Sequence, residues 1–335
     1  MNISPIIKEK ASQFYNRLAQ ATWLEIVGII AIGILMLNSL FAVAIDIKVI
    51  RKPLLTKIMG QKQLTQIPAA NNQLAQNAQS VSIDKDIEAK VLLSSVELPV
   101  AWNDLGKQMV QGGVIDQAKF EALYSQRGGL DPAMKKMLTE SNYGKIVMNA
   151  QNSGTLLNLF WALGLGNKNE ILDKGEMWDK QYGGDASKFA STGGWTLASG
   201  NIMDHYSKHS FMKLSPEQQA LVDKVSKGIF RPCCGNSTHF PDCNHGMAML
   251  GLLELMVSQG VSEQDMYKTA LAVNTYWFPD TYLTIAAYLK KQGSDWNKTS
   301  PQEILGTQYS SASGYRQILT QVAPPAQRSS GGCGV

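Results

Sequence analysis

The chain has 335 residues, which is long enough to bury a substantial hydrophobic core in one large domain or two small ones. Its net charge is only +4, and no Lys/Arg-rich block interleaved with aromatic residues follows the N-terminal region, so nothing supports nucleic-acid binding. Four cysteines in a chain of this length do not make a disulfide scaffold.

Residues 26–45 form an uncharged apolar stretch, which predicts a transmembrane helix. Twenty helical residues are long enough to span the hydrocarbon core of a bilayer. The N-terminal flank, residues 1–25, places Trp23 where an interfacial aromatic residue is expected. The length of the apolar stretch and of its flank favours an uncleaved signal anchor. Two alternatives are a secretory signal peptide cleaved after Ala42-Val43-Ala44 and a buried core helix.

The charges on either side of residues 26–45 do not settle their orientation in the membrane. More Lys and Arg residues follow the segment than precede it, which favours a cytoplasmic C-terminal side. A first hydrophobic segment near the N-terminus more often exports the chain that follows it. We therefore expect a single-pass membrane protein with an extracytoplasmic globular domain. The membrane is the one partner that the sequence indicates, and no protein partner is indicated.

The remaining chain divides into a linker, a domain and a tail. Residues 61–83 are rich in Gln, Asn, Ala and Ser, which is typical of a flexible linker. Residues 84–322 are predicted to form an all-helical globular domain, because helical patterns dominate and alternating strand patterns are scarce. Residues 323–335 are dominated by Pro, Ser and Gly and are predicted to be a disordered tail that carries Cys333.

Three helix starts within this domain carry capping signals. Ser215 and Ser300 are each followed by Pro and, three residues on, by Gln or Glu, which is the pattern of a capping box. Ser262 begins a looser version of the same pattern, and its helix is expected to end before Pro279. The first of these helices should run to about Gly228, directly before the cysteine-rich segment.

The chemistry of the chain is concentrated in the loop at residues 231–249. Three of the four cysteines and two of the four histidines lie within 13 residues: Cys233, Cys234, His239, Cys243 and His245. Thiolates and imidazoles are the ligands that bind zinc and copper in proteins. Cys243 and His245 fall where a second helix begins, and a helix N-terminus is expected to favour a thiolate. The loop therefore predicts a transition-metal site.

The spacing of these ligands does not identify the metal, because it matches no common zinc-finger or ferredoxin pattern. Zinc is favoured by the frequency of Cys/His zinc sites, and copper is favoured by nearby methionines and by the expected export. An iron–sulfur cluster is less favoured because it normally needs four cysteines. Non-covalent haem is also less favoured, since no spacing supports it.

Other residues near the loop are candidate additional ligands or outer-shell partners. His205 and His209 would lie on one face of a helix, either joining the site or standing as a solvated pair. Asp242 can orient an imidazole or cap the helix that begins beside it. Met247 and Met249 are candidate thioether ligands for copper, although the stronger interpretation is that they fill the core.

Three functions remain open on these residues. The first is a membrane-anchored metal-binding protein for metal handling, sensing or redox chemistry. The second is a thiol–disulfide or organometal-handling enzyme that uses Cys233, Cys234 and Cys243, with Cys333 as a possible exchanging thiol. The third is an interaction module in which zinc, or a disulfide from Cys233 or Cys234 to Cys243, staples two helices.

Overall fold

The computed structural model describes residues 84–126 and 128–323. The predicted transmembrane helix at 26–45, its flank at 1–25, the linker at 61–83 and nearly all of the predicted tail at 323–335 lie outside these residues. Among the described residues, no helix has the length and apolar character needed to cross a membrane.

The described chain is mostly helical, which confirms the main expectation for this domain. The α-helices are α1 Lys85–Val91, α2 Leu105–Gln111, α3 Gln117–Ser125, α4 Pro132–Thr139, α5 Ser153–Gly166, α6 Glu170–Lys174, α7 Ala190–Gly193, α8 Pro216–Lys227, α9 Asn244–Ser258, α10 Glu263–Trp277, α11 Pro279–Lys291, α12 Pro301–Ile304, α13 Thr307–Ser310 and α14 Ala312–Leu319. Short 3₁₀ turns lie at Glu176–Trp178, Lys180–Tyr182, Ala186–Lys188 and Ile202–Asp204.

A two-stranded antiparallel sheet departs from the expected all-helical domain. Strand β1, Ser95–Asn103, pairs with β2, Tyr143–Asn149, and the register shifts between Glu97 and Ala101. Pro99 lies inside this irregular stretch, where its missing N–H group is tolerated. Proline interrupts the strand pattern in the sequence, so the pattern of residues 95–103 does not by itself predict a strand.

Helices α5 and α9 form the centre of the domain and are buried along almost their whole length. They approach closely because each carries a glycine at the crossing. A Cβ atom on Gly164 would lie 2.2 Å from the carbonyl oxygen of Met247, and one on Gly251 would lie 2.5 Å from the carbonyl oxygen of Phe160. The first turn of α9 is thereby held against the domain core.

The predicted caps bring the cysteine loop into place. Ser215 makes both hydrogen bonds of a capping box at the start of α8, and Ser262 and Ser300 cap α10 and α12. The loop between α8 and α9 is therefore anchored at both ends, as the sequence predicts. Cys243 is the N-cap residue of α9.

Glu254 is a fully buried carboxyl group in the middle of α9, and we expect it to make folding stability depend on pH. Burial raises its pKa to about 8, although the side-chain amides of Asn167 and Asn169 donate hydrogen bonds to it and oppose the rise. The folded protein then holds this proton more tightly than the unfolded chain does. The contribution of this group to the free energy of unfolding has its full value below the ordinary pKa of 4.5. That contribution falls as the pH rises towards 8.

A Glu254→Gln variant keeps the shape of the side chain but cannot ionise. We expect its free energy of unfolding to fall less than that of the parent protein between pH 5 and pH 8. Urea denaturation at pH 5, 6.5 and 8 measures how the free energy of unfolding of each protein changes with pH. Parallel pH profiles for variant and parent would contradict the assignment of this buried proton.

Candidate metal centre

The three cysteine sulfurs of the loop form a nearly equilateral triangle. The Sγ–Sγ distances are 3.7 Å from Cys233 to Cys243, 3.9 Å from Cys233 to Cys234 and 3.9 Å from Cys234 to Cys243. All three are free thiols, so the disulfide expected as an alternative is not formed. Cys233 is exposed and the other two cysteines are partly buried, so the triangle is reached by solvent from the Cys233 side.

His245 joins this triangle from the first turn of α9. Its ring nitrogen and the sulfurs of Cys233 and Cys243 all lie within 4.8 Å of one another, close enough to hold one metal ion. Burial, followed by the charge of Arg231, lowers the pKa of His245 to about 4. The imidazole is therefore neutral at pH 7, which is the form that binds metals.

A second group of potential ligands consists of Cys234, Asp242 and Cys243. Here a cation is already present, because Nη2 of Arg231 donates to Asp242 Oδ1 at 2.5 Å and to Cys234 Sγ at 3.2 Å. The guanidinium neutralises much of the negative charge in this group. The group of Cys233, Cys243 and His245 is consequently the better candidate for a metal ion.

Arg231 is the functional residue that the sequence interpretation missed. Its side chain is 1% exposed, and besides Asp242 and Cys234 it donates to the carbonyl oxygens of Ser237 and Phe240 at 2.7 and 3.0 Å. It therefore ties both arms of the loop together. Its position in the sequence, two residues before Cys233, could have indicated this role, because buried thiolates need a compensating positive charge.

The thiols differ in how readily they ionise. Hydrogen bonds with Cys233 and Cys243, together with the charge of Arg231, lower the pKa of Cys234 well below that of a free thiol. For Cys243, the hydrogen bond with Cys233 lowers the pKa. Three causes act in the other direction: the hydrogen bond with Cys234, burial and the charge of Cys234. Together they raise the pKa of Cys243 to about 11. In the metal-free protein the pKa of Cys243 is therefore raised, in contrast to the lowering that a helix start predicts, and the pKa of Cys234 is lowered.

His239 does not join the cysteines, although it was predicted as a ligand. Its Nε2 atom lies 2.8 Å from Oδ1 of Asp223 on α8, and no group of potential ligands among the described residues includes it. The loop turns between His239 and Cys243, and the imidazole points to the preceding helix.

The other predicted partners also lie apart from the sulfur triangle. Nδ1 of His205 and Nε2 of His209 are 3.1 Å apart, and Nε2 of His205 contacts the carbonyl oxygen of Ser199 at 2.7 Å. Within the described part of the chain, neither joins a group of three potential ligands. Met247 and Met249 are buried in the hydrophobic core, as the stronger of their two interpretations predicts.

Asp242 supports the loop and does not cap α9. Its carboxylate accepts hydrogen bonds from Arg231 and from Nδ2 of Asn236, the latter at 2.8 Å, while Cys243 occupies the N-cap position. Burial raises the pKa of Asp242 and the charge of Arg231 opposes that rise. Asp242 therefore orients the loop through Arg231, in keeping with an outer-shell role.

Gly246, in the first turn of α9, provides the space that Arg231 occupies. A Cβ atom there would lie 2.6 Å from both Cζ and Nη1 of the guanidinium. We expect Gly246→Ala to lower the free energy of unfolding by about 1–3 kcal/mol through overpacking, although alanine favours helix more than glycine does.

Gly154 provides a matched control in the first turn of α5, because a Cβ atom at that position meets nothing within 4 Å. We expect Gly154→Ala to leave stability unchanged or to raise it by up to about 1 kcal/mol. Urea denaturation of both variants measures the difference. Equal effects at the two glycines would show that the guanidinium does not need the space at Gly246.

Comparison with known proteins finds no matching family model, curated protein or solved structure. The functional conclusion therefore depends on the geometry of the loop.

Proposed function

We propose that this protein is a membrane-anchored transition-metal-binding protein whose ion is held by Cys233, Cys243 and His245, with Cys234 as a fourth donor. The observation that carries the proposal is the spacing of the three sulfurs, 3.7–3.9 Å. Four ligands in a tetrahedron with Zn–S bonds of 2.3 Å place their sulfurs about 3.8 Å apart. The free thiols thus have the separation that a bound ion requires.

The donor set favours a thiophilic ion such as zinc or copper over hard cations, since thiolate and imidazole are softer ligands than carboxylates. Exposure of Cys233 supports a site that loads and releases its ion, because a structural zinc site is normally closed. Metal handling or sensing is therefore preferred to a purely structural role. Anchoring by residues 26–45 is the part of the proposal that depends on the sequence alone.

The direct test is metal loading of the full-length protein, purified in detergent, reduced and freed of metal. We expect one Zn²⁺ or one Cu⁺ ion per chain after titration and desalting, measured by elemental analysis. His245→Asn should weaken binding at least tenfold, because it removes a ligand. His239→Asn is the matched control and should bind as the parent does, since His239 contacts Asp223.

Two outcomes would overturn the proposal. One is the absence of bound metal after full reduction. The other is an equal loss of affinity in the His245→Asn and His239→Asn variants. If removing the metal also unfolds the domain, the ion has a structural role in place of a handling role.

A second candidate, thiol–disulfide exchange, is favoured by the lowered pKa of Cys234, whose sulfur lies 3.9 Å from that of Cys243. In this reaction the Cys234 thiolate attacks a substrate disulfide, forms a mixed disulfide and releases one substrate thiol. Cys243 then displaces the second substrate thiol and a Cys234–Cys243 disulfide forms, so two electrons pass to the substrate. Reduction of a model disulfide by the metal-free protein, lost in Cys234→Ser, would favour this candidate over metal handling.

A further inference from the structure

The sulfurs of Cys233, Cys234 and Cys243 form a donor set that is complete without His245. Their separations of 3.7, 3.9 and 3.9 Å are nearly equal, so an atom above the centre of the triangle meets all three at one distance. With bonds of about 2.3 Å, three sulfurs lie about 3.3 Å apart for right-angled bonds and about 4.0 Å apart for planar bonds. The triangle is therefore spaced for a three-coordinate soft atom as well as for a tetrahedral ion.

The triangle combines two sulfurs that the fold holds in place with one that solvent reaches. Cys243 is the N-cap residue of α9, and Cys234 accepts a hydrogen bond from Nη2 of Arg231 at 3.2 Å. Both are partly buried, whereas Cys233 is exposed. A small molecule can therefore approach from the Cys233 side and meet the other two thiols behind it.

Charge distinguishes the atoms that this triangle can hold. The guanidinium of Arg231 donates to the carboxylate of Asp242 at 2.5 Å, so these two opposite charges offset each other. Three thiolates then leave a monovalent ion with two excess negative charges and a divalent ion with one, whereas a trivalent atom makes a neutral centre. Uncompensated charge is costly where the surroundings are partly buried. The charge balance therefore favours a trivalent soft atom.

We propose that Cys233, Cys234 and Cys243 bind trivalent arsenic, which they take up from arsenous acid, As(OH)₃. This acid is uncharged at neutral pH, and its arsenic atom is thiophilic and forms three bonds in a pyramid. In the reaction, three As–O bonds break and three As–S bonds form. Each thiol proton leaves with one hydroxyl group as water, so three water molecules are released and no electron is transferred. The product is a neutral centre with three sulfurs.

The inference extends the proposed function to another class of ligand, and it shares the sulfurs of that function but not His245. The test adds sodium arsenite to the reduced, metal-free, full-length protein in detergent, followed by alkylation with iodoacetamide and mass spectrometry. We expect one arsenic atom per chain and protection of three of the four cysteines, with Cys333 left to react. Methylarsonous acid, which has two hydroxyl groups to exchange, should protect two cysteines.

Three variants locate the arsenic atom. Cys233→Ser should weaken arsenite binding at least about tenfold, since losing even an outer-shell partner of a bound ion costs that much. Cys333→Ser is the matched control and should bind arsenite as the parent does. His245→Asn should also bind arsenite as the parent does, although we expect it to weaken zinc binding.

The outcomes for arsenite and for zinc can be told apart. Zinc binding without arsenite binding, protection of only two cysteines by arsenite, or equal losses in Cys233→Ser and His245→Asn would overturn the arsenic site. Arsenite binding by the parent protein together with unchanged zinc binding in His245→Asn would support the arsenic site and overturn the ligand set proposed for zinc. Absence of both ligands would overturn both proposals.

Discussion

Replacement of Cys243 by serine is expected to abolish stable binding of a thiophilic metal. Cys243 lies at the N-cap of α9 and belongs to both groups of potential ligands. Serine presents a hydroxyl group that stays protonated at neutral pH and binds soft metals poorly. We expect the affinity to fall more than about 100-fold, since losing even an outer-shell partner costs 10–100-fold. Competition with a chromophoric chelator measures the change.

A Cys333→Ser variant controls for the total number of thiols. Cys333 lies outside the described residues, and we expect its loss to leave metal affinity unchanged. Circular dichroism of Cys243→Ser establishes that lost binding is not lost folding. Full metal affinity in a folded Cys243→Ser protein, or an equal loss in Cys333→Ser, would show that the ligand set is incorrect.

Replacement of Arg231 by methionine should be the most destabilising change in the loop itself. The substitution leaves Asp242 and Cys234 without their cation and the carbonyl oxygens of Ser237 and Phe240 without this donor. Breaking a buried ion pair from one side typically costs 3–5 kcal/mol. Since Asp242 keeps some exposure, we expect a loss of about 3 kcal/mol in the free energy of unfolding.

Lys224→Met provides the matched control for this prediction. Lys224 pairs with Glu263 at 2.6 Å, but its side chain is 64% exposed, so the pair is screened by water. We expect that variant to lose less than about 1 kcal/mol. Urea denaturation of both variants in the metal-free state measures the contrast. Similar small losses would mean that the loop does not depend on the guanidinium.

The local features of this domain were predictable from sequence because their causes are local. Ser215, Ser262 and Ser300 mark helix starts through hydrogen bonds to residues three positions away. The position of Cys243 at the start of α9 follows from a different local signal, the apolar helical run of residues 247–257 that comes after it. The strand β1 also left a signal, since Leu98, Val100 and Trp102 alternate and all three are buried, but Pro99 obscured it.

The composition of the candidate site was likewise evident in the sequence, as rare cysteines and histidines collect in one loop. Selection among them required the tertiary structure. His239 and His245 are six positions apart in one loop, yet one contacts Asp223 on α8 and the other enters the domain on α9. Side-chain direction at a turn depends on what packs around it, which spacing alone does not encode.

The placement of Arg231 depends still more on tertiary packing. Arg231 reaches the thiols because Gly246 leaves room for it. The first turn of α9 is held against the core because Gly164 and Gly251 let α5 and α9 approach. The sequence pattern therefore specifies the helices, their caps and a loop rich in potential metal ligands. Contacts between distant segments decide which of these side chains converge and which charge balances them.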